Sequence, residues 1–90
     1  MVRHHWEADA TAEMTRRLGA SPAELGNSDN VGKCPDIWEL DNGDIAVIGR
    51  DLTDSYARRL PRGVTIAQNE RLVIIPRSTL ISAKSDIPDA

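Results

Sequence analysis

The sequence predicts an α+β fold: an N-terminal helical arm, then two β-hairpins forming a four-stranded antiparallel sheet, with a helix between the hairpins. Three observations predict it. Trp6, Ala10, Met14 and Leu18 fall four apart and draw one apolar stripe along a helix. Two apolar runs flank Asn42-Gly43, a pair suited to a tight β-turn, and two more, 64–67 and 71–75, flank Gln68-Asn69-Glu70. The 90 residues are 40% hydrophobic, with Trp6, Trp38 and Tyr56 as the three aromatics. A chain this short buries only about 60% of its unfolded surface, so a thin core is expected and a deep, walled pocket is not.

Each element has a local reason. The first helix ends at Gly19, with Arg16 and Arg17 placed to favour its C-terminal dipole. Ser21-Pro22-Ala23-Glu24 combines a capping serine, a proline at the first helical position and a glutamate three residues on, which starts a short second helix. Gly26-Asn27-Ser28-Asp29-Asn30 breaks it. A two-residue type I′ turn at Asn42-Gly43 would pair Leu40 with Ile45 and Trp38 with Val47, placing these four on one face. Asp51 or Thr53 caps a third helix that runs to Leu60 with Leu52, Tyr56 and Leu60 on its buried side, and Pro61-Arg62-Gly63 stops it. Leu72-Val73-Ile74-Ile75, apolar on both faces, reads as a central strand. Residues 78–84 fit a short helix or an edge strand equally well. The resulting organisation is a helical arm at 1–26, a linker at 27–36, a sheet domain at 37–84 and a disordered tail at 85–90.

Composition narrows the function. With 11 basic against 14 acidic residues the formal charge is −3, which argues against a grip on nucleic acid or an anionic membrane by the whole molecule. The single cysteine, Cys34, cannot form an internal disulfide, and neither a signal peptide nor an apolar run long enough to span a membrane is present, so a cytoplasmic location is expected. His4, His5 and Cys34 supply three ligand types where a structural zinc site wants four, and no metal or other cofactor is expected. Asp36, Glu39, Asp41 and Asp44 cluster near the first turn, where carboxylates ordinarily solvate the turn and bond its backbone. No catalytic set converges, and the chain is not expected to be an enzyme.

Residues 10–26 resemble the core of a helix-turn-helix DNA reader, with helix, Leu-Gly-Ala-Ser turn and capped second helix. After Pro22, however, only Ala23, Glu24 and Leu25 precede the break, too little to fill a major groove. Arg58, Arg59 and Arg62 gather where the third helix ends and offer a patch for an acidic partner or a phosphate.

The run 34–51, Cys-Pro-Asp-Ile-Trp-Glu-Leu-Asp-Asn-Gly-Asp-Ile-Ala-Val-Ile-Gly-Arg-Asp, resembles the middle of small actinobacterial companion proteins of helix-turn-helix regulators. That resemblance implies an antitoxin-like or regulatory partner protein that binds another protein, such as a transcriptional regulator. The expectation is therefore a regulatory protein–protein interaction module. Its partner-binding residues are Trp6, Met14, Arg16, Arg17, Trp38, Arg58, Arg59 and Arg62, with self-association into a homodimer as a further option. The alternative is a small DNA-binding regulator using residues 10–26.

Overall fold

The computed structural model describes residues 6–26 and 35–87, and strand pairing after Pro35 organises them. Asp36–Leu40 forms strand β2 and Ile45–Ile48 forms β3; they run antiparallel, with Trp38 opposite Ala46 and Ile37 opposite Val47. The turn between them holds three residues. Gly43 N–H donates to Leu40 O (3.0 Å) and Leu40 N–H donates to Asp44 O (2.9 Å). Gly43 sits at φ +90°, whereas Asn42 keeps a negative φ, so the turn is type I followed by a left-handed glycine. The expected type I′ turn needs positive φ at both residues. The predicted pairing is therefore off by one residue, and such a slip reassigns faces: Trp38 shares its face with Ala46 and Ile48, not with Val47.

The predicted N-terminal helical arm is absent. In its place Met14–Arg17 forms strand β1, antiparallel to β2, with Met14 opposite Leu40, Arg16 opposite Glu39 and Arg17 opposite Trp38. Thr15 is the extra residue of a bulge, and its hydroxyl donates to Glu39 O (2.9 Å). The helix fails at its start because Asp9 Oδ1 accepts from both Thr11 N–H (2.9 Å) and Thr11 Oγ1 (2.6 Å), a local turn that competes with helical bonding. Further on, Ser21 and Glu24 bond reciprocally as the sequence implies, Ser21 N–H to Glu24 Oε1 (2.9 Å) and Glu24 N–H to Ser21 Oγ (3.2 Å). They close a single turn and no second helix follows within residues 22–26. Since β1 is part of the sheet, residues 6–26 are not a separate arm. Residues 27–34 of the expected linker lie outside the described residues, as do 88–90 of the expected tail.

The second half also departs from expectation. Arg50–Asp51 (β4) pairs antiparallel with Val73–Ile74 (β5), so the fold holds a three-stranded sheet, β1-β2-β3, and a two-stranded one in place of a four-stranded sheet. The 71–75 run is drawn to β4: Leu52 N–H donates to Leu72 O (3.0 Å), Leu72 N–H to Thr53 Oγ1 (2.8 Å), and Arg71 Nε to Asp51 Oδ2 (2.9 Å). Residues 64–67 then have no strand partner, although Glu70 N–H still donates to Ala67 O (3.0 Å) to close the turn. The expected helix to Leu60 is one turn long, Thr53–Tyr56 (α1). Its continuation would bring Arg59 N–H onto Ser55 O, but the Arg59 guanidinium takes that oxygen through Nε and Nη2 (both 3.2 Å).

Arg77–Ala83 forms helix α2, which resolves the choice at 78–84 in favour of a helix; Pro76 sits at its N-cap, and Thr79 and Ala83, four apart, are its buried residues. Lys84–Asp86 continues as a 3₁₀ turn. The core is Leu18, Ile37 and Ala83, with Ile75 packed against it. Alternation along the strands puts Leu18, Ile37, Arg16 and Glu39 on the face that α2 covers. Met14, Arg17, Trp38, Leu40, Ala46 and Ile48 belong to the other face. No helix among the described residues is long and apolar enough to cross a membrane.

Candidate protein interface

The face of the three-stranded sheet that points away from α2 concentrates what a binding surface needs. Arg17 is its fixed point. From β1 it grips the Asp36 carboxylate of β2 in a fork, Nε to Oδ1 at 2.9 Å and Nη2 to Oδ2 at 3.0 Å, with Asp36 itself 8% exposed. The guanidinium also lies over the indole of its cross-strand neighbour Trp38, 5.0 Å from the ring centroid. A fork onto a carboxylate combined with a stack on an aromatic ring holds the plane of an arginine as lysine could not. Around this pair lie Met14 and Ile48, 48% and 50% exposed, and the half-buried Leu40 and Ala46. Trp6 joins at the turn end, where its indole Nε1–H donates to Asp44 Oδ2 (3.2 Å) while the residue stays 71% exposed. Trp and Arg are residue types that concentrate binding energy at interface centres, and Met is enriched there.

Of the eight partner-binding residues expected from the sequence, Trp6, Met14, Arg17 and Trp38 come together here. Arg16, although adjacent to Arg17, points to the opposite face. There it pairs with Glu39 Oε1 (3.0 Å) and donates from Nη2 to Asp86 O (2.6 Å), which ties β1 to the end of the C-terminal helical segment. Arg59 is folded back over the Tyr56 ring (4.4 Å) and onto Ser55 O. Arg58 lines an open groove of about 610 Å³ together with Thr53, Ile66 and Arg71, and neither Arg59 nor Arg62 is among the lining residues. Leu40 and Ile48 share this face although neither is among the residues expected from the sequence. The signal was the alternation of the hairpin, and for Ile48 the mistaken two-residue turn hid it by placing it on the wrong face.

Charge is tuned away from this face. Thr53, through its hydroxyl and then its N–H, and Arg71 hold the Asp51 carboxyl down to about 2. The Ser21 N–H, and then its hydroxyl, lower the Glu24 carboxyl. No cluster of three His, Cys, Asp or Glu able to hold a metal occurs among the described residues. His4, His5 and Cys34, weighed above as ligands, lie outside those residues.

No protein-family model, no curated protein and no solved structure matches this chain.

Proposed function

We propose that this chain is a small regulatory protein–protein interaction module that acts by binding and without catalysis of its own. Its partner seats on the open face of the three-stranded sheet. The observation that carries the proposal is the Arg17–Trp38 pair, locked by Asp36 and ringed by Met14, Ile48 and Trp6, none of which the chain buries in its own core. A pre-ordered aromatic and a pre-ordered arginine lose little side-chain entropy on binding, which is where interface affinity is otherwise lost. The first partner class to test is a helix-turn-helix transcriptional regulator in the cytoplasm, on the resemblance of residues 34–51. The DNA-reader alternative is not carried forward: it needs two packed helices within residues 10–26, where the structure holds a strand and one turn.

The test is affinity capture from lysate of the source organism with nuclease present, using wild type, Met14→Glu and Trp6→Ala. A stoichiometric protein should survive nuclease and fall at least about tenfold with Met14→Glu, a change of about 1.4 kcal/mol. The thermal midpoint should stay unchanged, since Met14 is exposed. Recovery that disappears with nuclease, or that neither substitution alters, refutes the assignment of this face.

A further inference from the structure

The open edge of β3 is a second surface, which borders the face just described at Asp44 and Ile48. Leu40 N–H bonds to Asp44 O, and bonded and non-bonded pairs alternate along an antiparallel ladder. Trp38–Ala46 and Asp36–Ile48 are therefore the next bonded pairs, and the main-chain groups of Ile45 and Val47 point outward. The same parity continues into β4, where Leu52 N–H turns to Leu72 O and Arg50 lies opposite Ile74. Residues 45 and 47 thus present main-chain donors and acceptors with no pairing strand among the described residues, while Gly49, just past the end of β3, lies against the Ile74 main chain of β5.

Natural edge strands are guarded against pairing by an inward charge, a lysine, a proline or a bulge. Ile45-Ala46-Val47-Ile48 carries no charge and no proline, and Ile45, Val47 and Ile48 are 45%, 44% and 50% exposed. The charges stand just outside it. Asp44 and Arg50 are each three residues from Val47, and neither is in an ion pair among the described residues.

We propose that β3 pairs with β3 of a second copy of this chain, antiparallel about a two-fold axis at Val47, joining two three-stranded sheets into one of six strands. In that register Val47 faces Val47 of the second copy as a hydrogen-bonded pair, Ile45 faces Gly49, Ala46 faces Ile48, and Asp44 faces Arg50. The charge match occurs twice, once at each end, as two-fold symmetry requires. The neighbouring registers that keep the outward groups bonded centre on Ala46 or Ile48. They set Asp44 opposite Ile48 or Leu52, and the second also sets Asp51 opposite Ile45. Charge complementarity therefore selects both the register and the occupant: an unrelated strand has no reason to match Asp44 and Arg50 at this spacing.

Sedimentation equilibrium of the full chain is the direct test. An interface this small belongs to the weak class, so a dimer dissociating in roughly the 1–100 µM range is expected. Val47→Lys, on an exposed side chain, should leave the circular dichroism spectrum intact and abolish the dimer. Asp44→Arg and Arg50→Asp should each raise the dissociation constant roughly tenfold by setting like charges opposite one another. The double exchange should bring it back to within about threefold of wild type, whereas Met14→Glu should leave it unchanged. A chain still monomeric at about 100 µM overturns the proposal. So does a dimer indifferent to Val47→Lys, or single exchanges that the double exchange fails to rescue.

Discussion

Gly19→Ala tests whether α2 is seated on the sheet as described. Gly19 lies at φ +84°, and a Cβ built there would stand 2.5 Å from Ser82 Oγ, 2.6 Å from Ser82 C and 2.7 Å from Ala83 N. Two costs add. The left-handed conformation costs an alanine about 1–2 kcal/mol. Forcing backbone atoms of α2 away from the sheet costs about 1–3 kcal/mol more, because main chain cannot swing aside as a side chain can. The expected loss is thus about 2–5 kcal/mol, a large fraction of what a domain of this size possesses. Gly43→Ala is the matched control: its φ is +90° and nothing lies within 4 Å of the added methyl, so it carries the conformational cost alone, about 1–2 kcal/mol. Urea unfolding followed by circular dichroism and tryptophan fluorescence measures both. If the two losses agree within about 0.5 kcal/mol, Gly19 does not pack against α2, and the placement of the core falls with it.

Two further outcomes follow from the ionic contacts. Asp36→Asn removes the charge that Arg17 grips at a site 8% exposed, and should cost about 1–3 kcal/mol in thermal or urea unfolding; a loss below about 0.5 kcal/mol would show the fork to be idle. Asp51, with its folded carboxyl depressed to about 2 from 3.8, favours the native state fully above the unfolded value and loses that contribution as pH falls from about 4 toward 2. A carboxyl-carbon NMR titration should show its midpoint near 2 and an upward move in Thr53→Val, whose hydroxyl is the largest cause; a wild-type midpoint near 4 would refute the Asp51–Thr53 hydrogen bonds.

Short-range chemistry was legible wherever one side chain bonds its own backbone neighbourhood. The Ser21–Glu24 pair, the turn at Asn42-Gly43 and the stop at Pro76 are all present. What failed was periodicity. Met14, Thr15, Arg16, Arg17 and Leu18 show no apolar alternation, so they do not read as a strand. Once Thr15 is set aside as the bulged residue, alternation is there: Met14 and Arg17 face outward, Arg16 and Leu18 inward. A bulge leaves no mark in the sequence when the extra residue is an ordinary threonine. The 71–75 run failed for a different reason. Its nearest apolar neighbour was 64–67, but its bonded partner is β4, some twenty residues away, selected by Asp51 and Thr53 through side-chain bonds.

That bulge also explains how so small a core leaves one sheet face open. With Leu18, Ile37 and Ala83 as the buried hydrophobic cluster among the described residues, apolar packing alone holds α2 weakly, and polar contacts add to it. Gly19 N–H donates to Asp86 Oδ2 at 2.7 Å, Ala20 N–H to Ser82 Oγ at 3.4 Å, and Arg16 Nη2 to Asp86 O at 2.6 Å. All three run from β1 or the residues just after it to the C-terminal helical segment, on the covered side of the sheet. The two that involve a charged group, at Asp86 Oδ2 and Arg16 Nη2, contribute about 1.5–3 kcal/mol each, and the longer neutral bond to Ser82 contributes about 0.5 kcal/mol. A regular strand would have put Met14 and Leu18 on the same side, because side chains four apart share a face. It would then have buried Met14 or exposed Leu18. The bulge at Thr15 lets four residues serve both sides: Arg16 and then Leu18 secure the helix, while Met14 and Arg17 stay with Trp38 on the face the chain leaves open.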